Sequence, residues 1–316
     1  MDDNRMRRIK VIVNPMAGQG RALRVLSQVE EILRTQGIEY DVAKTSAPGH
    51  GSRLAQMAAQ EGWPQVAAIG GDGTINEVLQ GVIHTDTMLS IIPGGTGNDL
   101  ARSLAIPLEI PAAATLLWSG TPAKMDVGME TNRGFASLAS LGFPVDVIAH
   151  VNENKSIFSG SIKIFAGVWK TLCNLRSHPM TIRTDGQVRR VEAIGVFVQN
   201  TRSAGGGLMI APEAHPADGM LDLVIIHRIS RWDLITTLPK AYKGTHVDHP
   251  AVEIVRWRRV TIEPELPMTK MVDGELVGTA PIQASLVRQA LKILVPPETA
   301  SLLNASQLDS VAVSAR

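Results

Sequence analysis

From residue 9 to about residue 106 the chain alternates short apolar runs with segments of helical period, and this alternation restricts the fold more than any other feature. IKVIVNP (9–15) is an apolar run stopped by Pro15. RALRVLSQVEEILRTQG (21–37) sets Leu23, Leu26, Val29, Ile32 and Leu33 at helical spacing and ends at Gly37. IEYDVAKT then reads as a strand, SRLAQMAAQEG as a helix, QVAAIG as a strand, TINEVLQGVIH as a helix, TMLSIIPGG as a strand and NDLARSLAI as a helix. Strict alternation of this kind predicts a parallel sheet covered by helices.

After about residue 128 the texture changes. FASLASLGF, MTIRTDGQVRRVEAIGVFVQN, MLDLVIIH, VEIVRWRRVTIEPE, TKMVDGELVG and QALKILVP are short strands divided by turn residues. They predict a β-rich domain, a sandwich or a distorted barrel. With 316 residues the chain exceeds one typical core. The expected organisation is therefore an α/β domain over 1–128, a β-rich domain over 129–296 and a tail over 297–316. The tail's end, ASQLDSVAVSAR, is small and polar and is expected to fray; its return to the first domain is left open. One segment interrupts the β-rich texture. SGSIKIFAGVWKTLCNLR (159–176) puts Ile162, Phe165, Ala166, Trp169, Leu172 and Cys173 on one helical face. Such a stripe packs on its own domain or, with Lys163, Lys170 and Arg176 toward head groups, lies on a membrane.

Charge excludes one class of partner. Lys and Arg number 31 against 30 Asp and Glu, a formal net charge of +1, so there is no bulk field for nucleic acid. RMRRIK (5–10) and RWRR (256–259) are locally basic, either solvated or facing anionic lipid. The single Cys173 excludes an internal disulfide and a cysteine-built zinc site, as suits a reducing cytosol. No run approaches the roughly 18 consecutive apolar residues of a membrane span. The expected location is cytoplasmic, at most peripheral on the inner face of the membrane, and a homodimer is left open.

Two strand-turn-helix units carry the chemistry: AAIGGDGTINEV (67–78) and LSIIPGGTGNDLARSL (89–104). Glycines let the backbone turn tightly and approach a ligand, while the following helix aims unpaired amides back at the turn, an arrangement that favours phosphate. Each turn also holds a threonine and a carboxylate, Thr74 with Asp72 and Thr96 with Asp99. A carboxylate facing a polyphosphate is repulsive unless a hard cation lies between them, so the pair points to a nucleotide with Mg²⁺. No GxxxxGK[ST] occurs, which excludes a P-loop, and NPMAGQGRA (14–22) has Gly18 and Gly20 without the third glycine of a dinucleotide fingerprint.

Taken together, these stretches resemble the diacylglycerol-kinase-like lipid kinases, which include bacterial diacylglycerol kinases and sphingosine kinases. NPMAGQGRA resembles the family's NPxSG opening, with Ala17 where serine is usual. GGDGTINEV is similar to its signature and PGGTGNDLAR to its second phosphate turn. GGGLMIAPEAHPADGMLDLVII and VDGELVG resemble two stretches of its β-rich domain. The resemblance implies a Rossmann-like α/β nucleotide-binding domain, a C-terminal β-sandwich for the lipid and a cleft between them. It further implies that Asn14, Pro15, Met16, Ala17, Gly18, Thr45, Gly71, Asp72, Gly73, Thr74, Ile75, Asn76, Glu77, Thr96, Asn98 and Asp99 line ATP. Asp72, Asp99 and Asp126 would form a carboxylate-water-Mg²⁺ network. A second, structural Mg²⁺ would be held by the Asp218 carboxylate and the carbonyls of His215 and Met220. Asp273 or Glu275 would be the base.

The implied activity is ATP- and Mg²⁺-dependent phosphorylation of the hydroxyl of a diacylglycerol-like lipid at the membrane surface, giving a phospholipid such as phosphatidic acid. Two other readings compete. GGDG also occurs in NAD kinases, and a non-catalytic nucleotide- or lipid-binding regulator could keep the fold. The NE that follows GGDGT and the PGGTGNDLAR turn favour the lipid branch, and the complete set of carboxylates favours an enzyme. Read without the family, ADGM (217–220) and VDGE (272–275) are hairpin signals. His246 and His249, spaced like a metal pair, read as a surface turn.

Overall fold

The structure, a computed structural model, describes residues 8–153, 170–172 and 174–314. Most of the amphipathic segment expected over 159–176, with Ile162, Lys163, Phe165, Ala166, Trp169 and Cys173, lies outside the described residues, as does the start of RMRRIK. Two compact units are present. One comprises the chain up to Val127, His215–Gly219 and everything from Val287 onward; the other comprises Gly128–Ala214 and Met220–Leu286. The second unit is thus interrupted, where the sequence suggested one continuous stretch from 129 to 296.

In the first unit β1 (Arg8–Val13) pairs in parallel with β2 (Glu39–Lys44) and, on its other side, with β3 (Gln65–Gly70). β3 pairs in parallel with β4 (Met88–Pro93). The strand order β2-β1-β3-β4 reverses direction between β1 and β3, and in open α/β sheets ligands bind beyond the carboxyl ends of the strands at such a reversal. Helices α1 (Arg21–Thr35), α2 (His50–Gln60), α3 (Asp72–Val82), α4 (Asp99–Ser103) and α5 (Ile110–Ser119) complete the alternation. β3 and β4 are buried along their whole length, which is why QVAAIG and MLSIIP are near-continuous apolar runs instead of alternating ones. α1 buries Ala22, Val25, Leu26, Val29 and Leu33 against Val11, Val13 and Ile69, with Ala113 and Leu117 of α5. Its stripe is rotated from the one expected: Leu23 is exposed and Ala22 takes the inward position.

α2 and α3 pack so closely that a side chain at Gly81 would sit 2.4 Å from the Ser52 carbonyl. The C-terminal helix Pro297–Ser314 buries Ala300 and Leu303, and Thr299 Oγ1 donates to the Leu104 carbonyl at 3.0 Å. The helix runs on into the stretch ASQLDSVAVSAR. The small residues there support a helix, with the Ser301 and Ser306 hydroxyls bonding back to the carbonyls of Pro297 and Leu302.

The second unit is antiparallel throughout its described ladders. Its strands are the end of β5 (Thr121–Glu130), β6 (Arg133–Phe135), β7 (Leu138–Gly142), β8 (His178–Thr184), β9 (Gln187–Gln199), β10 (Leu221–His227), β11 (Val252–Trp257), β12 (Arg259–Pro264), β13 (Thr269–Val272), β14 (Glu275–Thr279) and the start of β15 (Ile282–Val295). β9 belongs to two ladders. Its first half pairs with β8, which leads to β12 and β15; its second half lies between β7 and β10. β7 continues to β13 and β14, and β10 to β11. Phe135, Leu141, Met180, Ile182, Val196, Val198, Leu223, Ile225, Ile262 and Ile282 fill the space between the layers, a β-sandwich core. Helix α6 (Phe143–Glu153) covers an outer face. Leu172, from the described end of the amphipathic segment, is buried against Phe143, Val147, Ile194 and Leu234.

Candidate active site

Three turns gather beyond the carboxyl ends of β1, β3 and β4. In the first, Asn14 Oδ1 accepts the Met16 amide and its carbonyl accepts the Ala17 amide, both at 3.0 Å. This Asx turn feeds the short 3-10 helix Ala17–Gly20. Ala17 keeps its place through that backbone alone, so the usual serine hydroxyl is not needed to form the turn. Met16 is exposed, and Thr45 reaches the end of β1 through its amide, 2.9 Å from the Val13 carbonyl.

The second and third turns are stacked backbone on backbone. The Gly94 amide donates to the Gly70 carbonyl at 2.8 Å, and a Cβ on Gly95 would lie 2.4 Å from Gly71 Cα. A Cβ on Gly18 would meet the Gly94 carbonyl at 2.6 Å, so the first turn closes on the third as well. The glycines therefore serve close approach, and they leave a rim of main-chain amides. The unpaired donors of α3 belong to its first turn, around Gly71, Asp72, Gly73 and Thr74. Asn98, at φ +52°, latches the third turn: its Oδ1 accepts the Gly95 amide at 3.1 Å and its Nδ2 donates to the Gly95 carbonyl at 3.2 Å. Thr96 is exposed at the tip.

Further along α3 the residues have partners within the protein itself. Ile75 is a core side chain whose amide is spent on the Gly71 carbonyl. Asn76 is buried and accepts from Gln80. Glu77 turns to the neighbouring helix, its two oxygens accepting the amides of Gly49 at 2.8 Å and Gly51 at 2.9 Å. Negative charge suits the N-terminus of α2, and Gly51 has no Cβ to block it. Glu77 thereby fastens α3 to α2.

Asp72 links two of the turns. Its Oδ1 accepts the Asp99 amide at 2.7 Å, at the start of α4. Gly97 leaves the other oxygen room, since a Cβ there would sit 2.8 Å from Oδ2. Burial pushes the Asp72 carboxyl above its ordinary range, and the amides of Asp99, Leu100 and Asn98 oppose that shift. Among the described residues no basic side chain adds to the balance. Asp126, at the end of the same unit's share of β5, is buried and accepts the amides of Gly219 at 2.9 Å and Gln289 at 2.7 Å. Its own amide donates to the Pro216 carbonyl at 2.7 Å. Burial raises this carboxyl too, against the two amides and Arg288. Asp126 is thereby fastened to the HPADG turn that carries Asp218. That turn is not a β-hairpin; it is closed by the His215 carbonyl, which accepts the amides of Ala217 at 2.8 Å and Asp218 at 3.4 Å.

VDGE is the hairpin its dipeptide predicts, with Asp273 at φ +43° and Gly274 at φ +84° between β13 and β14. Its two carboxylates differ sharply. Asp273 is buried, and its oxygens accept the amides of Ala136 at 2.8 Å, Ser137 at 2.9 Å and Leu138 at 2.9 Å. Glu275 is 41% exposed and pairs with the guanidinium of Arg133. Arg133 escaped the sequence reading because its partner lies 142 positions away and no local pattern marks it. The histidine pair also needs a correction: His246 is buried, with Nε2 3.1 Å from the Ile210 carbonyl, so it is a core residue and not part of a surface turn.

Among the described residues no three His, Cys, Asp or Glu side chains converge on one point.

Residues 8–129 match the family profile described as the diacylglycerol kinase catalytic domain, and residues 137–295 match the YegS C-terminal NAD kinase beta sandwich-like domain. The chain belongs to the diacylglycerol-kinase-like lipid kinases. A diacylglycerol kinase of Bacillus subtilis is 29% identical over 95% of this chain and all of its own length. One from Mycobacterium tuberculosis is 31% identical over 92% of this chain and 95% of its own. Two solved structures from Bacillus anthracis share the fold. One superposes with a TM-score of 0.77 at 25% identity, covering 93% of this chain and 96% of its own. The other, described as a diacylglycerol kinase, superposes at 0.71 with 23% identity, covering 93% and 98%. Membership makes this chain a lipid kinase, a phosphotransferase with ATP as the donor. No described helix is long and apolar enough to cross a membrane.

Proposed function

We propose that this lipid kinase transfers the γ-phosphoryl group of ATP to the free hydroxyl of a diacylglycerol, giving a phosphatidic acid, with Mg²⁺ bound at Asp72. The observation that carries the reading is the stack of glycine turns beyond β1, β3 and β4. It offers amides where phosphates can approach, and one partly buried carboxylate, Asp72, that pairs with no cationic side chain among the described residues. The diacylglycerol kinases that match nearly end to end support the choice of lipid. Phosphoryl transfer asks mostly for positioning and neutralisation of charge. The amides around Gly71–Thr74 and the Asn14–Gly18 turn would orient the phosphates, and Mg²⁺, when bound, would neutralise charge on the phosphoryl oxygens. Asp72 would hold the ion, with Asp99 beside it. Asp126 and Asp218 would act one step away, fixing the HPADG turn and a second ion.

Glu275 is the base in this proposal. A lipid hydroxyl must lose its proton as the phosphoryl group arrives, and the acceptor needs a free oxygen. The oxygens of Asp273 are engaged by three amides, whereas Glu275 is 41% exposed and pairs with Arg133. Asp273 then shapes the hairpin that presents Glu275.

Incubation with γ-labelled ATP and Mg²⁺ against diacylglycerol, monoacylglycerol, a sphingoid base, phosphatidylglycerol, an undecaprenol and NAD⁺ tests the reading. Label in phosphatidic acid at the highest kcat/KM supports it. A higher kcat/KM on another lipid reassigns the substrate, and transfer to NAD⁺ alone overturns the lipid proposal.

A further inference from the structure

Between β10 and β11 the second unit makes an excursion that its sandwich does not require. Ser230 starts it as a helix cap, its Oγ accepting the Asp233 amide at 3.1 Å. The helix Arg231–Thr237 follows, then 3-10 turns over Leu238–Lys243 and Thr245–Asp248. Leu234, Thr237 and Ala241 turn inward, and Leu234 joins the cluster of Phe143, Val147 and Ile194. Trp232 lies on the opposite side of the helix from Leu234 and is 78% exposed; Tyr242 is 60% exposed. Trp and Tyr are ordinarily among the better buried side chains, and where both stand out they mark a boundary between water and something apolar. The charge around them is one-sided. Arg228, Arg231, Lys240 and Lys243 are exposed, and the only carboxylate from 228 to 243 is Asp233, held by the Ser230 hydroxyl at 2.8 Å. Lys240, Lys243 and His249, with one exposed acid, Asp248, also line a surface groove of about 590 Å³. In a chain whose formal charge is only +1, this is a local concentration of cations with two protruding interfacial aromatics.

We infer that this excursion is a docking surface for an anionic phospholipid membrane. Trp232 and Tyr242 enter the head-group layer, and the four cations meet lipid phosphates. The inference rests on the lipid-kinase reading, since a substrate dissolved in a bilayer obliges the enzyme to work at its surface. It uses a patch apart from the glycine turns and the VDGE hairpin. Aromatic insertion and charge attraction add in such surfaces, and each cation near anionic lipid strengthens binding by about fivefold.

The test compares the full-length enzyme with Trp232→Ser/Tyr242→Ser and with Lys240→Glu/Lys243→Glu. Binding is read by co-sedimentation with vesicles of phosphatidylcholine alone and of phosphatidylcholine with one-third phosphatidylglycerol. Activity is read on vesicle-borne and on detergent-dispersed diacylglycerol. Wild type should prefer the anionic vesicles and lose that preference in high salt. Each double variant should bind them at least about tenfold more weakly and act more slowly on vesicles, with unchanged kcat on dispersed lipid. In wild type, brominated phosphatidylcholine should quench a tryptophan component that Trp232→Phe removes while binding persists; this arm holds even if a double variant fails to fold. Wild-type vesicle binding by folded double variants would overturn the proposal, as would quenching unchanged in Trp232→Phe. Loss of a wild-type dimer in these variants with vesicle binding retained would overturn it too, and assign the patch to a second copy of the chain. Absence of activity on dispersed lipid in every form would instead count against the kinase substrate, and leaves the vesicle-binding result to decide the docking surface.

Discussion

Single carboxylates carry most of the functional argument, and each is set apart by what its oxygens touch. Asp72 sits partly buried with the Asp99 amide on one oxygen and no basic side chain among the described residues to balance it. Asp72→Asn should keep the fold, because an amide oxygen can still accept from Asp99, yet lower kcat by about 10²–10³, the usual cost of one lost electrostatic contact in the transition state. Circular dichroism and steady-state rates at saturating Mg²⁺ measure the two halves; an undiminished rate would remove Asp72 from the chemistry. The VDGE pair should divide in the opposite sense. Glu275→Gln should reduce kcat with ATP affinity unchanged. Asp273→Asn should chiefly destabilise, by about 1–3 kcal/mol, since one amide oxygen cannot serve three N–H donors. Denaturant melts and rates on both variants decide it, and a stable, inactive Asp273→Asn beside an active Glu275→Gln would reverse the assignment. Asp222 lies outside this chemistry but has its own signature. Burial, and then Glu213, push its carboxyl from 3.8 up to about 6. Oδ2 has no hydrogen-bond partner among the described residues, and Arg256 comes only within 3.6 Å of Oδ1. We give burial more weight than this long contact with a half-exposed guanidinium. A folded-state value above the unfolded one means stability that is full below about pH 4 and is lost as pH rises through about 6. Asp222→Asn should therefore gain on the order of 2 kcal/mol over wild type at pH 7, with the gap closing by pH 4. A constant gap across that range would show that Asp222 does not titrate in the folded protein.

At the scale of elements, the parts legible in the sequence were those with a strong period or obligatory turn chemistry. β1 to β4 and α1 to α3 fall where apolar runs and helical spacing put them, and the Asp-Gly of VDGE forms its hairpin. α5 was missed because IPAAATLLWS is apolar nearly all round and has no polar face to set a phase. α6, FPVDVIAHVNE, was missed among strand-like neighbours. ADGM misled because a dipeptide that favours hairpins needs a strand on both sides, and here only β10 follows it. Glu77 was not legible for another reason: its partners, Gly49 and Gly51, are on a different helix, and no local spacing shows such a contact. The close pass of α3 over α2 supplies a test of this packing. Gly81→Val would drive a side chain into the Ser52 carbonyl and Ala55, costing about 1–3 kcal/mol through overpacking. A melting temperature equal to wild type would mean that α2 and α3 are less tightly packed than described.

For the whole molecule, the alternation in the first hundred residues and the strand-rich remainder foretold an α/β unit and a β-sandwich, because the two periods differ along the chain. The interruption of the second unit could not be foretold. HPADG and the end of β15 carry no mark of the unit they join; contacts such as Asp126 accepting the Gly219 and Gln289 amides reveal it. The same limit applies to substrate. Fold and turns lead to a lipid kinase, whereas the choice of diacylglycerol rests on relatives and on chemistry still to be measured. The central claim is that the stacked glycine turns with Asp72 hold ATP and Mg²⁺ for transfer to a lipid hydroxyl. Single-turnover transfer of label from γ-labelled ATP to diacylglycerol tests it most directly, run with wild type and Asp72→Asn, each in Mg²⁺ and in EDTA. The account predicts labelled phosphatidic acid from wild type in Mg²⁺, and almost none from wild type in EDTA or from the variant in either condition. Equal transfer by the two proteins in Mg²⁺, or transfer by wild type undiminished in EDTA, would contradict it.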